Sequence, residues 1–339
     1  MVFYKIRRKL IRKIRPFFNK KSKEHAGVYR SLNYSFFDDT FKREINGVVE
    51  GIKAYHEKGH KNEVILIRNI HRIEKGLIMP TLKKEFALDY IEETIQVFKN
   101  VYEDGSDKNL ISYTASVLDK YFKVVSLEKP ELKKVSQDFF KLDLKPGKKI
   151  PYKRRENQKN TVSYEALRQL YLQRRSVRFF RDIAVDRNLI EKAVEGAALS
   201  PSACNRQPFK LIISDKNPLK DKLGSLPMGA TTYYENVPMF IAIIGDLSSY
   251  FSERDRNLIY IDGSLFAMSF MLALETLGLS SCPINWPDIE TRESKLQKAL
   301  GLKPYERCVM FLGVGYADPD RMIPFSNKKT PNQLIKYID

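Results

Sequence analysis

A long helix that is apolar around nearly its whole circumference most constrains how this chain can fold. It covers residues 260–280, YIDGSLFAMSFMLALETLGLS. A helix without a polar face is normally buried in a domain core or a subunit interface. Short apolar runs rich in β-branched and aromatic residues flank it at 208–214, 237–245 and 308–317, and they predict buried strands. The order helix, helix, strand, strand, helix, strand, strand indicates an α+β fold rather than a regular βαβ repeat.

The N-terminal half contains few glycines and predicts a mostly helical region. Residues 85–103 and 109–125 place apolar side chains at mostly helical spacing. Residues 64–80 predict a helix that ends at Gly76, because glycine favours helix ends and Pro80 follows it.

The apolar periodicity is lost between residues 141 and 162, where prolines and a glycine accompany many cations. Such a composition is typical of a linker. The predicted organisation is therefore a basic amphipathic helix at 1–22, a helical region at 23–140, a linker at 141–162 and a C-terminal domain at 163–339.

The first segment is strongly basic. Residues 3–18, FYKIRRKLIRKIRPFF, put aromatic and aliphatic side chains on one helical face and cations on the rest. Such a helix can lie in a membrane interface with its cations over anionic headgroups. It can also pack on its own domain or on a partner, or act as a nucleic-acid arm. For the polar cluster His71–Leu77 two interpretations also stay open: it is part of a functional site, or it is a solvated helix face.

Charge and cysteine content limit the partners of the chain. Its 59 lysines and arginines exceed its 41 acidic residues, and the net charge of +18 favours anionic partners. The three cysteines are far apart and the four histidines are scattered, so neither a metal site nor a disulfide framework is indicated. We therefore expect a reduced, cytoplasmic protein. No uninterrupted run reaches the roughly 18 apolar residues of a membrane-spanning helix.

Several chemistries lack their motifs. GVGYAD at 313–318 is not a dinucleotide fingerprint, and the sequence contains no P-loop, HExxH or GxSxG pattern. The C-terminal half has no histidine, which argues against Ser-His and Cys-His hydrolases. If this half performs chemistry, a cofactor supplies the reactivity.

Three stretches of the C-terminal half carry a family resemblance. RRSVRFF at 174–180, SPSACNRQPFKLII at 200–213 and SNKKTPNQLI at 326–335 together resemble the nitroreductase family of FMN-dependent oxidoreductases. The resemblance covers residues 163–339. It implies a central, mainly antiparallel sheet flanked by helices, here preceded by a mostly helical N-terminal domain.

The resemblance also implies which residues hold FMN. The guanidinium forks of the first stretch match phosphate oxygens, and its last arginine would lie near flavin N1 and O2. The second stretch reaches the flavin from the other subunit, and residues 281–287 lie along the flavin face, although Asn285-Trp286 departs from the glycine that relatives often carry. The implied FMN-binding residues are Arg174, Arg175, Ser176, Arg178, Pro201, Ser202, Ala203, Asn205, Gln207, Pro283, Ile284, Asn285, Lys328 and Lys329.

By the same resemblance, we expect a homodimer with FMN at its interface. NADH or NADPH would reduce FMN in a ping-pong cycle, and the acceptor would be a quinone, a nitro compound or a biosynthetic intermediate, free in solution or at a membrane. Flavin N5 carries the hydride, so no catalytic side chain and no metal are expected. Independently of the resemblance, the basic amphipathic pattern of residues 1–22 would place the protein at an anionic membrane surface, peripheral to the inner face. The alternatives are an inactive flavin-binding or scaffold protein of this fold and, with no recognition motif to support it, a nucleic-acid binder.

Overall fold

The computed structural model describes residues 41–105, 107–157 and 159–338. The amphipathic helix predicted at residues 1–22 lies outside them. The α-helices are α1 (Lys42–Lys58), α2 (Glu63–Leu77), α3 (Ile91–Glu103), α4 (Lys108–Phe122), α5 (Pro130–Phe140), α6 (Tyr164–Gln173), α7 (Arg187–Ala197), α8 (Leu219–Gly224), α9 (Leu258–Thr276), α10 (Glu290–Leu300) and α11 (Pro331–Leu334). The strands are β1 (Phe209–Ser214), β2 (Met239–Asp246), β3 (Ser280–Asn285) and β4 (Glu306–Gly315).

Helices α1 to α5 form a helical region that has its own core, as the sequence predicted. Side chains that recur at helical spacing, among them Leu66, Ile70, Phe98 and Tyr121, are fully buried in one cluster. Side-chain caps define the starts of α2 and α4: the Asn62 side chain accepts a hydrogen bond from the Val64 amide at 3.2 Å, and the Asp107 side chain accepts one from the Asn109 amide at 2.8 Å. This region is therefore held together by burial of amphipathic faces.

The four strands form one antiparallel sheet in the order β1-β2-β4-β3. Central strand β2 is buried on both faces. Its residues Met239, Ile241 and Ile243 enter one core, and the alternate residues Phe240 and Ile244 enter the other. This two-sided burial explains why the sequence of β2 is a continuous apolar run and does not alternate between apolar and polar residues. The antiparallel sheet flanked by helices confirms the predicted fold class.

Helix α9 covers one face of the sheet together with α7. It ends at Thr276, before the end of the apolar run, because Gly278 adopts φ 79° and β3 begins at Ser280. By length and composition alone, Glu253–Thr276 is long and apolar enough to cross a membrane. Its Phe266 and Phe270 are instead buried in the core beside the sheet, as in the central helix of a globular domain.

The helical region docks on the sheet region through α1. Gly51 of α1 lies so close to the Leu247 backbone that a Cβ at this position would come within 2.8 Å of the Leu247 carbonyl carbon. Farther along the same boundary, Arg43 donates two hydrogen bonds of 2.7 Å to the carboxylate of Glu290 in α10. These bonds lower the pKa of Glu290 to about 2. Close backbone approach and a bidentate ion pair thus fix the two regions against each other.

Two segments of the described chain contain little regular structure. Between α5 and α6, the only regular element is a 3-10 turn at Arg154–Glu156. At the other end, every residue from 319 to 338 is exposed, including Met322 at 93% and Phe325 at 81%.

The docking of α1 generates a prediction. Gly51→Ala should destabilise the protein by roughly 1–3 kcal/mol, because the added methyl group overlaps the Leu247 backbone and the helix must shift. Urea unfolding monitored by circular dichroism measures the change. The matched control is Gly196→Ala in α7, where a Cβ meets nothing within 4 Å. There, better helix propensity should stabilise the protein by about 0.5–1 kcal/mol. Equal effects of the two substitutions would contradict the close approach.

Candidate functional site

The predicted arginine cluster, Arg174, Arg175, Ser176 and Arg178, lies along the outer edge of β3. Helix α6 ends at Gln173, and the extended chain that follows pairs Ser176 with Ser281 in a parallel bridge. The Val177 amide donates a 3.1 Å hydrogen bond to the Ser281 carbonyl. The structure therefore brings the first predicted stretch directly beside the predicted segment 281–285.

The guanidinium groups of this cluster are half-buried, and no carboxylate of the described chain lies within ion-pair distance of them. Arg178 donates to the Ser176 carbonyl at 3.2 Å and stands 5.9 Å from the centroid of the Tyr233 ring. The Tyr233 hydroxyl lies 3.4 Å from the Cys282 sulfur. Burial raises the pKa of Tyr233, so its phenol is neutral. The cluster is thus a concentration of positive charge that an anionic ligand would neutralise.

Buried polar atoms without partners point to the same place. Within the described residues, Arg174 Nε and Ser281 Oγ are buried and make no hydrogen bond. Beside them, the Glu275 carboxylate accepts a 3.4 Å contact from Gln173 Nε2. Burial raises the pKa of Glu275, whereas Ser280, Gln173 and the charge of Arg174 oppose the rise. Unpaired buried groups are costly and few in folded proteins. A phosphate-bearing cofactor would supply acceptors to Arg174 and Ser281, so the residues present fit FMN.

The second predicted stretch forms a strained loop, residues 201–207. Three of its residues have left-handed backbones without being glycine: Cys204 at φ 53°, Asn205 at φ 56° and Gln207 at φ 50°. Such conformations cost of order 1–3 kcal/mol each and cluster at functional sites.

Two buried charged side chains hold this loop in shape. Asp262 of α9, 2% exposed, accepts a 3.0 Å hydrogen bond from the Ala203 amide. Arg206, 6% exposed, donates to the Ala203 carbonyl at 3.4 Å and lies over the Tyr250 ring. Burial raises the pKa of Asp262, whereas the Ala203 amide and Arg206 oppose the rise. The strain is thus sustained by contacts from the protein core.

The arginine cluster and the 201–207 loop lie at opposite corners of the sheet. The loop leads into Phe209 at one end of edge strand β1. On the other edge strand, β3, Ser281 pairs with Val314 of β4, which pairs with Met239 of β2. Met239 is the residue before Phe240, the partner of Ser214 at the far end of β1, so Ser281 lies at the end of the sheet opposite to Phe209. At usual strand dimensions, the two corners are roughly 20 Å apart along the strands and roughly 14 Å apart across them. Within one protomer, the two stretches cannot both contact one flavin ring.

The remaining predicted residues have different surroundings. Pro283 and Ile284 belong to β3, where Ile284 is buried, and Asn285 is exposed at its end. The neighbouring Trp286 is buried and donates to Glu293 at 3.1 Å, so it serves the core. Lys328 and Lys329 lie in the exposed 319–338 segment. Their role in phosphate binding stays a prediction, as do the roles of the other site residues.

Sequence reasoning missed the residues that support the two corners, chiefly Arg206, Asp262 and Tyr233. A signal existed for two of them. Asp262 is an isolated carboxylate in the first half of the apolar helix, and Arg206 stands between two predicted flavin ligands. A charged residue in such a setting needs a specific partner. Tyr233 offered no signal, because its proximity to Arg178 depends on the tertiary fold.

The cluster His71–Leu77 lies on α2. Arg72 stacks on the Tyr90 ring, with its guanidinium carbon 3.6 Å from the centroid. Glu74 accepts a 2.5 Å hydrogen bond from the Tyr113 hydroxyl and lies 3.6 Å from His71 Nδ1. Arg72 and Glu74 therefore serve packing within the helical region. Among the described residues, no group of three or more histidine, cysteine or acidic side chains is arranged to hold a metal ion.

Comparison with known proteins relates this half of the chain to a known family. The model of the Nitroreductase family matches residues 171–238 and 234–316. An Archaeoglobus fulgidus protein named NADH dehydrogenase/NAD(P)H nitroreductase is 27% identical over 160 residues, which are 46% of this chain and 88% of that protein. An iodotyrosine deiodinase of Hydra vulgaris is 24% identical over 197 residues, 49% of this chain and 70% of the relative. A solved FMN-dependent nitroreductase of Clostridium difficile superposes with a TM-score of 0.42 at 20% identity, covering 50% of this chain and 98% of that structure.

Proposed function

Because the C-terminal half of the chain carries a nitroreductase-family domain, we propose that the protein is an FMN-dependent oxidoreductase. NADH or NADPH is the reductant in this proposal, and a quinone, a nitro compound or a biosynthetic intermediate is the acceptor. One observation carries it: Arg174 and Ser281 present buried, unpartnered polar atoms, and the guanidinium groups of this cluster form no ion pair with a carboxylate of the described residues. The nitroreductase and deiodinase names of the relatives support redox chemistry of this general kind.

The side chains of this protein would bind and orient the cofactor. Arg174, Arg175 and Ser176 would hold the FMN phosphate and ribityl chain through charge-assisted hydrogen bonds. Arg178 would provide positive charge at the pyrimidine edge of the ring, and the neutral amides of Asn205 and Gln207 would meet a ring edge. FMN, when bound, supplies the hydride-transfer chemistry that these side chains lack.

The separation of the two corners supports a homodimer. If the arginine cluster of one protomer and the 201–207 loop of its partner share one flavin, each site needs both chains. The surface is suited to this assembly. Ile261 and Leu265 of α9 are 52% and 43% exposed, and Tyr260 and Met268 extend this apolar face. Exposed apolar side chains of the 319–338 segment add further area that a second copy would cover.

The enzyme proposal predicts a visible spectrum. The purified full-length protein, after incubation with FMN and removal of excess, should be yellow, and anaerobic NADH or NADPH should bleach it. Absorbance between 350 and 500 nm is the measurement. A yellow protein that neither nucleotide bleaches would favour the catalytically inactive flavin-binding alternative. A protein that does not retain FMN would contradict the assignment of the arginine cluster.

The shared site predicts complementation between damaged protomers. Arg174→Gln/Arg175→Gln and Asn205→Ala/Gln207→Ala should each abolish most FMN binding and NAD(P)H oxidation. Coexpression of the two variants should restore about a quarter of the sites, because about half of the dimers are mixed and each mixed dimer has one intact site. FMN content and NAD(P)H oxidation are measured after native mass spectrometry has verified mixed dimers.

The control pairs the arginine double variant with Arg178→Gln. Both changes then damage the same half of the site, so mixed dimers should recover nothing. Recovery in this control, or none in the first mixture, would contradict a site built from two protomers.

We further propose that the protein is cytoplasmic and that residues 1–22 hold it at the inner face of an anionic membrane. Aromatic side chains next to cations suit an interface helix. Deletion of residues 1–22 should abolish cosedimentation with vesicles of phosphatidylserine and phosphatidylcholine, while FMN content is unchanged. Vesicles of phosphatidylcholine alone are the control, since they lack the anionic charge. Equal cosedimentation of the full-length and shortened proteins would contradict the membrane role.

A further inference from the structure

A polar cleft lies between the helical region and the sheet region. Its volume is about 330 Å³, at the lower end of the size of small-molecule sites. Helices α1 to α3 provide most of its walls, and Phe251, which follows β2, provides the opposite wall. The polar and aromatic residues that line it are Tyr55, His56, His60, Arg68, Glu93 and Phe251.

One arginine, Arg68, contributes positive charge to this cleft. The Arg68 guanidinium carbon lies 4.9 Å from the centroid of the Phe251 ring, and among the described residues Arg68 forms no ion pair. The one carboxylate of the lining, Glu93, accepts a 3.0 Å hydrogen bond from Asn69 Nδ2. His56 and His60 add ring nitrogens. An aromatic wall next to an unpaired guanidinium suits a small molecule that combines an apolar body with an anionic group.

The cleft adjoins the 201–207 loop. Helix α2, which contributes Arg68 to the cleft, also packs against residues 203–205 of the loop. Arg206 of the loop lies over Tyr250, the neighbour of Phe251, with its guanidinium carbon 5.3 Å from the ring centroid. Arg206 and Arg68 both lower the pKa of Tyr55, against a larger increase due to burial. The two arginines therefore act on one hydroxyl at the boundary between cleft and loop.

Unpartnered atoms occur at this boundary as well. Arg206 Nε and the Tyr250 hydroxyl are buried and have no hydrogen-bond partner within the described residues. Both side chains are more than nine-tenths buried, at 6% and 1% exposure. A polar group entering between the two regions would provide acceptors that the chain itself does not supply.

We propose that this cleft binds the anionic group, a carboxylate or a phosphate, of the acceptor molecule, with Arg68 as its main determinant of specificity. The inference rests on the proposed function, because it places the reducible part of the acceptor toward the 201–207 loop. The helical region, which lies outside the family match, then selects acceptors by charge. A minimal nitroreductase-like domain without α1 to α3 lacks this selection.

The test compares three nitro acceptors with the FMN-loaded, full-length protein: 4-nitrobenzoate, 4-nitrophenyl phosphate and neutral 4-nitrobenzyl alcohol. Arg68→Gln should raise KM for the preferred anionic acceptor about tenfold, the usual loss of one charge-assisted contact. KM for the alcohol should change less than about twofold, because its contacts do not involve the charge. Whichever anion shows the larger effect identifies the carboxylate or the phosphate as the group bound.

Arg254→Gln is the matched control. Arg254 lies 4.8 Å from the same Phe251 ring centroid, but it pairs with Asp255 and is not part of the cleft lining. It should leave all three KM values unchanged. Equal changes of KM for charged and neutral acceptors in Arg68→Gln, or equal effects of the two arginine substitutions, would overturn the proposal.

A second readout separates this proposal from the proposed function. Calorimetry of benzoate and of inorganic phosphate binding does not require FMN or turnover. At least one anion should bind the full-length protein and should bind Arg68→Gln about tenfold more weakly. If this holds in a protein that does not retain FMN, the oxidoreductase proposal fails and the anion site stands. If neither anion binds the parent protein, the anion site is refuted even when FMN is retained and reduced.

Discussion

The burial of β2 on both faces is the constraint on which the rest of the sheet region depends. Alternate side chains of this strand supply two separate cores, one shared with α7 and α9 and the other with α8 and α10. Strands β2 and β4 lie inside the sheet, and β1 and β3 are its edges. The segments next to those edges are the ones left free to bind ligands. The position of the arginine cluster beside β3 and of the strained loop before β1 follows from this arrangement.

The same constraint connects fold with proposed chemistry. In the proposed dimer, the two functional corners of one sheet belong to different flavin sites, and the symmetric pair brings each corner to the opposite corner of the partner. Helix α9 has three roles: one side fills the core, its Asp262 fixes the 201–207 loop, and its outer side is apolar and exposed. These three roles leave α9 without a solvated polar face, which is why its sequence is so uniformly apolar.

Much of the fold could be predicted because its strongest signals are local. The apolar helix, the strands and the helical N-terminal region follow from periodicity and composition. Helix α10 was not predicted. Its sequence ETRESKLQKAL buries little besides Glu293 and Leu296, so its apolar side chains show only a weak helical periodicity. The bond between Arg43 and Glu290 joins residues 247 positions apart, and no local pattern contains it. Likewise, motifs located the candidate flavin residues, but the left-handed backbones of the loop and the buried support from Arg206 depend on tertiary contacts.

The opposite placement of the two corners has a consequence in a cell that contains more than one version of the chain. In the proposed dimer, each protomer contributes to two active sites, a different half to each. A protomer altered in both corners would therefore disable both sites of every dimer that it enters, although its partner is intact. Such an allele would be dominant, because the fraction of active sites lost would exceed the fraction of protomers that carry the change. Expression of a doubly altered chain would then suppress the activity of the normal one without any loss of its synthesis or folding.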